Sequence, residues 1–499
     1  MSVFRTKSIE ASMASADEAD HQLKRTLSAL DLTVFGIGVI IGAGIFTLTG
    51  KAAKEYAGPS IALSFVVGAI VCGLAALCYA EFASTVPISG SAYTFSYATL
   101  GELVAWIIGW DLLLELMLGA SVVAQGWSQY LVTFLKQVGV TWPDAVGPGS
   151  TFDLPAFLLV ALLTVLVAIG IKESLRVNLV LVGVKLFIVL FVIIAGISFI
   201  NTANWSPFIP PSQPGKAAEG LTTPLIQLIS GTTPATFGVL GIMAGAAVVF
   251  FAYIGFDVVA TTAEEAKNPQ RDLPRGIIGS LVICTILYVA VTLVITGMQN
   301  YKDIDPKAAL ATAFTSVGKD GFATLISAGA VAGLTTVVMT LLIGATRVTF
   351  AMSRDHLIPA SLGRTSAKTG TPVKLTLIIG TVVALIASLT PIGKLEEMVN
   401  IGTLTAFMLV SLAVPILRKR RPDLERSFKV PGNPVVPYLS ALACFYLVLN
   451  LSLETWIRFV VWMVLGFIIY FGYSRSHSKL ATGEEEEGRR PAPEKVAEH

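Results

Sequence analysis

Residues 31–50 read DLTVFGIGVIIGAGIFTLTG, an apolar run interrupted by Gly36, Gly38, Gly42 and Gly44. At about 1.5 Å per residue it is long enough to cross the roughly 30 Å of a bilayer core. Glycine leaves helical geometry most readily and leaves its backbone N–H and C=O uncovered. In hydrocarbon an opened helix survives only against protein or a cavity. The run therefore reads as a membrane helix broken at its middle, with free amides near Gly42 to Gly44 and free carbonyls near Ile40 and Ile41. Such a break is a site for an ion or zwitterion built from backbone. Glycine also serves close helix packing in membranes, so a second break of the same kind has to decide between the two readings.

The rest of the chain repeats the pattern. Of 499 residues, 54% are hydrophobic and only 14% charged, and the mean hydropathy is +0.74. Apolar stretches of about twenty residues recur to the end, which marks an all-α polytopic membrane protein rather than a soluble one. Cys72, Cys78, Cys284 and Cys444 all lie in apolar runs and suggest neither a disulfide framework nor a metal cluster. No nucleotide loop, metal-ligand spacing or nucleic-acid-binding patch stands out, so no enzymatic activity, cofactor, metal or nucleic-acid partner is expected. Residues 1–30 carry Lys24, Arg25 and several acids in place of an apolar leader, so no signal peptide is expected.

Twelve spans are expected, near 31–50, 60–86, 100–135, 154–171, 177–200, 238–260, 276–297, 321–348, 373–390, 398–417, 436–452 and 456–473. The domain reading is an N-terminal arm (1–30), spans one to five (31–200), an outer loop (201–235) and spans six to ten (236–417). An inner loop (418–435), spans eleven and twelve (436–474) and a disordered, glutamate-rich tail (475–499) complete it. Lys and Arg concentrate in the loops on the side of the termini. That bias puts both termini in the cytoplasm and the multi-pass chain in the plasma (inner) membrane.

The second break falls in span six, where residues 245–257 read GAAVVFFAYIGFD and Gly255 marks the opening. Counted from Asp31 to Gly42 and from Glu264 back to Ile254, both breaks lie about 15–16 Å deep. Two breaks at one depth in corresponding positions are the signature of an inverted-repeat transporter.

Lys185 is the costliest residue inside a span, about 13 Å beyond Arg176. Thr335 and Thr336 of span eight lie about 17 Å in from Arg347. An ammonium between the broken first span and these hydroxyls takes the place of a coupling ion and can bind and release a proton in each cycle. The competing reading is a permanently charged lysine that ties helices together. Asp111 and Glu115 stand one turn apart on span three. They carry protons, contact a cationic side chain or border a wet cavity, and Asp257 is a further candidate of that kind. Phe251, just before the second break, is placed either as a lid or as packing. None of the four histidines falls in a span, which argues against a histidine relay.

Four stretches carry a family resemblance: GVIIGAGIF at 38–46, PISGSAY at 87–93, FAYIGFD at 251–257 and TAEEAKNPQRDLPR at 262–275. With them the chain resembles the amino acid–polyamine–organocation (APC) superfamily, and within it the cationic amino acid transporter family, including its bacterial members, over about residues 25–475. The resemblance implies a five-plus-five inverted repeat followed by two further helices, with helices 1 and 6 discontinuous, working by alternating access. It implies that a substrate carboxylate meets the amides of Gly42, Ala43 and Gly44, and its amine the carbonyls of Ile40, Phe250, Ala252 and Tyr253. The side-chain pocket then falls to Ile254, Glu115 and Met339, the gate to Phe251, and proton coupling to Lys185 supported by Thr335 and Thr336.

The expected function is secondary active import of L-amino acids, proton-coupled and directed to small neutral ones such as alanine. Transport of arginine or lysine, which Glu115 favours, and amino acid exchange stay open as alternatives. A non-transporting membrane sensor would need a regulatory domain, and the tails are short. The expected partners are the amino acid, a proton and membrane lipids, with room for a sterol-like lipid or a small accessory membrane protein. A monomer suffices.

Overall fold

The computed structural model describes residues 5–6, 26–85, 91–170, 175–214, 220–231, 235–366 and 369–482. Most of the N-terminal arm, residues 87–90 of the PISGSAY motif, the junction at 171–174 and the tail beyond 482 lie outside the described residues. Within them the chain is almost wholly helical, with one two-residue antiparallel pair, Gln213–Pro214 against Ala235–Thr236. Eight helices are long and apolar enough to cross a membrane, and four shorter apolar helices accompany them.

The first helix, α1 (Ala29–Ile40), starts on a capping box. Ser28 Oγ accepts from the Asp31 N–H at 3.3 Å, and the Asp31 carboxylate accepts from the Ser28 N–H at 2.9 Å. Helical structure resumes at Gly44, and Gly58 and Pro59 then turn the chain into α2 (Ile61–Thr85). A short α3 (Ser91–Thr99) precedes the long α4 (Glu102–Gln137). Next come α5 (Leu154–Ala168), N-capped by Asp153, and α6 (Leu175–Ile197). The 201–235 loop holds only a short α7 (Leu225–Ser230) and leads into α8 (Gly238–Val249). The second half runs through α9 (Pro269–Met298), the short α10 (Ala309–Ser316), α11 (Asp320–Arg354) and α12 (Val373–Leu389). It ends with α13 (Ile392–Arg420), α14 (Val435–Leu449) and α15 (Leu453–Ile469).

Some boundaries differ from the sequence expectation for a common reason. Hydropathy ends a span where charges begin, whereas a helix ends where backbone bonds run out. The helix α9 begins at Pro269, inside a block read as loop, because proline at the first helical position gives up an N–H that has no partner there anyway. Asp272 in its first turn accepts from the Asn268 N–H at 3.2 Å. Likewise α13 starts at Ile392 rather than 398. Helical turns also continue past residue 474 as far as Thr482, where disorder was expected. There Ser478 Oγ donates to Glu102 at 2.7 Å.

The long helices α4 and α11 pack side by side at the centre, and α1, α2 and α9 form a second group beside them. Leu162, Ile194, Ile286, Leu442 and Ile468 point outward and are well exposed. An apolar exterior of this extent marks a membrane protein.

Polar ties gather at the two ends. Glu81, at the end of α2, accepts from Arg418 Nε at 2.8 Å, Arg418 Nη2 at 2.6 Å and the Val430 N–H at 2.7 Å. On the same face Glu102 accepts from Tyr470 Oη at 3.0 Å and Ser478 Oγ at 2.7 Å. At the opposite end Lys51 pairs with Glu396 at 3.0 Å. Glu81→Ala would remove the carboxylate that Arg418 grips and leave the buried Val430 N–H without its acceptor. It is expected to cost about 2–3 kcal/mol, read as a lower thermal unfolding midpoint of the purified protein.

Candidate functional site

The helix α1 closes its last regular bond from the Ile41 N–H to the Ile37 carbonyl at 2.9 Å. Ile41 then leaves helical geometry at φ −72°, ψ 84°, and the Gly42 N–H turns back onto the Ile40 carbonyl at 2.8 Å. Helical geometry returns at Ala43, followed by a wide π-turn over Gly44–Leu48. The amides of Ala43 and Gly44 open this new segment, where the first N–H groups have no intrahelical acceptor.

The second break is built differently. The helix α8 tightens into a 3-10 turn at Phe250–Tyr253, and Ile254 is extended at φ −60°, ψ 135°. Gly255 has φ +120°, a conformation that glycine takes without strain. A second 3-10 segment, Asp257–Glu265, carries the chain on. Asp257 folds back to accept from the Gly255 N–H at 3.3 Å, so its carboxylate caps the break.

The two breaks press on each other. A Cβ on Gly44 would stand 2.3 Å from Ala252 Cα, and one on Gly255 would stand 2.8 Å from Val39 Cγ1 and 3.3 Å from the Ile40 nitrogen. Backbone polar groups opened by the breaks find partners on neighbouring helices. Lys185 Nζ of α6 donates to the Gly38 carbonyl at 2.5 Å, Tyr288 Oη of α9 to the Ile40 carbonyl at 2.7 Å and Asn400 Nδ2 of α13 to the Ala247 carbonyl at 2.9 Å. Lys185 is buried, and its stem lies against Gly333 of α11.

Between the breaks lies a small cavity of about 30 Å³. Of the residues singled out in the sequence, Ile40, Gly42, Ala43, Gly44, Glu115, Phe251 and Ile254 line it. The others stand nearby in different settings. Met339 is buried outside the lining, and α11 contributes Val337 and Leu341 instead. Phe250 packs edge-on against Phe407, and Tyr253 Oη donates to the Phe65 carbonyl at 2.8 Å. Thr335 Oγ1 accepts from Trp127 Nε1 at 3.0 Å, and Thr336 Oγ1 donates to the Gly333 carbonyl at 2.9 Å, beside the Lys185 stem. Asp111 is buried one turn from Glu115, and the carboxylate oxygens of both have no hydrogen-bond partner among the described residues.

Tyr288, Asn400, Trp127, Gly119 and Val123 were not picked from the sequence. For Asn400 a signal existed, since an amide inside an apolar helix needs a partner and an interrupted helix supplies a spare carbonyl. For Tyr288 and Trp127 the partner depends on which helices pack together, which one sequence does not state.

The amino acid permease family model matches residues 27–471. The chain is 48% identical over 490 residues to a branched-chain amino acid permease of Bacillus subtilis, covering 96% of this chain and 99% of the relative. It is 44% identical over 485 residues to the methylthioribose transporter of the same organism, covering 96% and 99%. A vacuolar cationic amino acid transporter of Arabidopsis thaliana is 38% identical over 427 residues, covering 85% of this chain and 68% of the relative.

If the two breaks need direct backbone contact, Gly44→Ala drives a methyl into Ala252. It is expected to destabilise the protein by about 1–3 kcal/mol. Gly73→Ala, at a position with nothing within 4 Å of a new Cβ, is the control and leaves thermal unfolding in place.

Proposed function

Since the chain belongs to the amino acid permease family, whose members are transporters rather than enzymes, we propose that it imports neutral aliphatic L-amino acids by proton-coupled alternating access. The eight long and four shorter apolar helices then make twelve crossings. In this arrangement α1 with the segment after Gly44 is the first crossing and α8 with the 3-10 segments the sixth. Five crossings precede the sixth in an inverted repeat, and α14 and α15 stand outside it. Both termini lie in the cytoplasm.

In this reading the carboxylate docks on the Ala43 and Gly44 amides at the positive end of the restarted helix, and the Gly42 amide joins once it leaves the Ile40 carbonyl. The ammonium is taken by the carbonyls of Ile40, Phe250, Ala252 and Tyr253, where α1 and α8 end. The side chain lies among Ile254, Val123, Val337 and Leu341, with Met339 behind them. Phe251 closes over the site. The apolar lining and the name of the Bacillus subtilis branched-chain relative support a neutral aliphatic substrate, with alanine the smallest.

The contact that supports proton coupling is the hydrogen bond from Lys185 Nζ to the Gly38 carbonyl, one turn before the first break. Charge-assisted hydrogen bonds are roughly twice as strong as neutral ones. Loss of the proton therefore weakens the tie that holds α1, and α1 swings with the second 3-10 segment to open the inner side. Thr335 and Thr336 keep the α11 side of this site in register. Asp111 and Asp257 are secondary proton or cavity carboxylates. Glu115, a carboxylate in the lining, favours the second reading, a cationic amino acid.

The test is uptake of radiolabelled alanine, leucine and arginine by proteoliposomes, with and without an inward proton gradient, for the full chain and Lys185→Ala. Gradient-driven uptake of alanine and leucine, reduced at least about tenfold in the variant, is expected. Uptake of arginine alone would establish the cationic reading. Uptake indifferent to the gradient but stimulated by internal solute would make the protein an exchanger.

A further inference from the structure

Gly119 lies on α4 one turn beyond Glu115 and one turn before Val123, and all three line the cavity at the breaks. Glycine within a helix is less stable than alanine, so a buried one usually repays that cost through close packing. Two glycines on the same helix do so. A Cβ on Gly109 would stand 2.9 Å from the Tyr93 ring, and one on Gly126 would stand 3.2 Å from Thr47 Cγ2. Gly119 differs. A Cβ there meets only Leu341 Cδ1, at an ordinary 3.6 Å. Helix packing would accept an alanine at this position, and the missing side chain leaves room on the cavity side instead.

The surfaces around that room are apolar, with Val123 on the same helix, Val337 and Leu341 on α11, and Ile254 and Phe251 at the second break. We infer that Gly119 sets the size of side chain the site admits, its bare Cα making the space into which a branched aliphatic side chain extends beside Leu341. The inference rests on the proposed transport of neutral amino acids and names the branched-chain class within it. Each methylene-sized change in such a pocket shifts discrimination by roughly ten- to two-hundredfold.

The experiment compares uptake of radiolabelled leucine and alanine by the full chain, Gly119→Ala and Gly119→Val in proteoliposomes. The expected result is a leucine-to-alanine uptake ratio that falls in Gly119→Ala and drops at least about tenfold in Gly119→Val. A ratio unchanged in both variants, with the unaltered chain taking up both amino acids, overturns the role of Gly119 and leaves neutral transport standing. An unaltered chain that takes up neither overturns both. Should Gly119→Val lose all uptake, thermal stabilisation of the purified variant by each amino acid is the readout. Stabilisation by alanine but not leucine supports the inference, and any other pattern overturns it.

Discussion

The structure depends on two interrupted helices meeting backbone to backbone inside a membrane. Gly44 against Ala252, and Gly255 against Val39 and Ile40, leave no room for a side chain at either crossing. An opened helix in hydrocarbon costs several kcal/mol for each polar group left bare. Here Lys185, Tyr288 and Asn400 each reach one of the freed carbonyls. The halves are also joined at their far ends. Thr26 and Leu27 N–H groups bond to the Glu265 carbonyl at 2.9 and 3.0 Å, and the Phe237 N–H bonds to the Tyr56 carbonyl at 2.8 Å. Each half of the first interrupted helix is thereby tied to a half of the other, one pair at each end of the protein.

In the proposed cycle, that pairing lets two half-helices tilt as one body, with the breaks as the points about which they turn. In the same proposal the groups that face a substrate are mostly main chain and recognise what all amino acids share, and discrimination falls to the few side chains, chiefly apolar, around the small cavity.

Much of the candidate site's lining was legible in the sequence because its residues are chemically out of place. Glycines in an apolar run, a lysine far from any boundary and a Gly–Phe–Asp step within a span each carry a cost that invites an explanation. Residues that look ordinary in their span were illegible. Tyr288 and Gly119 take their meaning from neighbours on other helices, Ile40 and Leu341. On α11, Val337 and Leu341, one turn apart, face the cavity, whereas Met339 between them does not line it. Helix ends were misjudged where charge and backbone bonding part company, as at Pro269 and Thr482.

If the two breaks read both charged ends of an amino acid through the main chain, titration calorimetry of the purified full chain separates L-leucine from N-acetyl-leucine and leucine amide. L-leucine is expected to bind, and each blocked analogue to lose at least about tenfold in affinity, since each leaves one set of backbone groups without its partner. Equal binding of all three would show that the main chain does not read the charged ends.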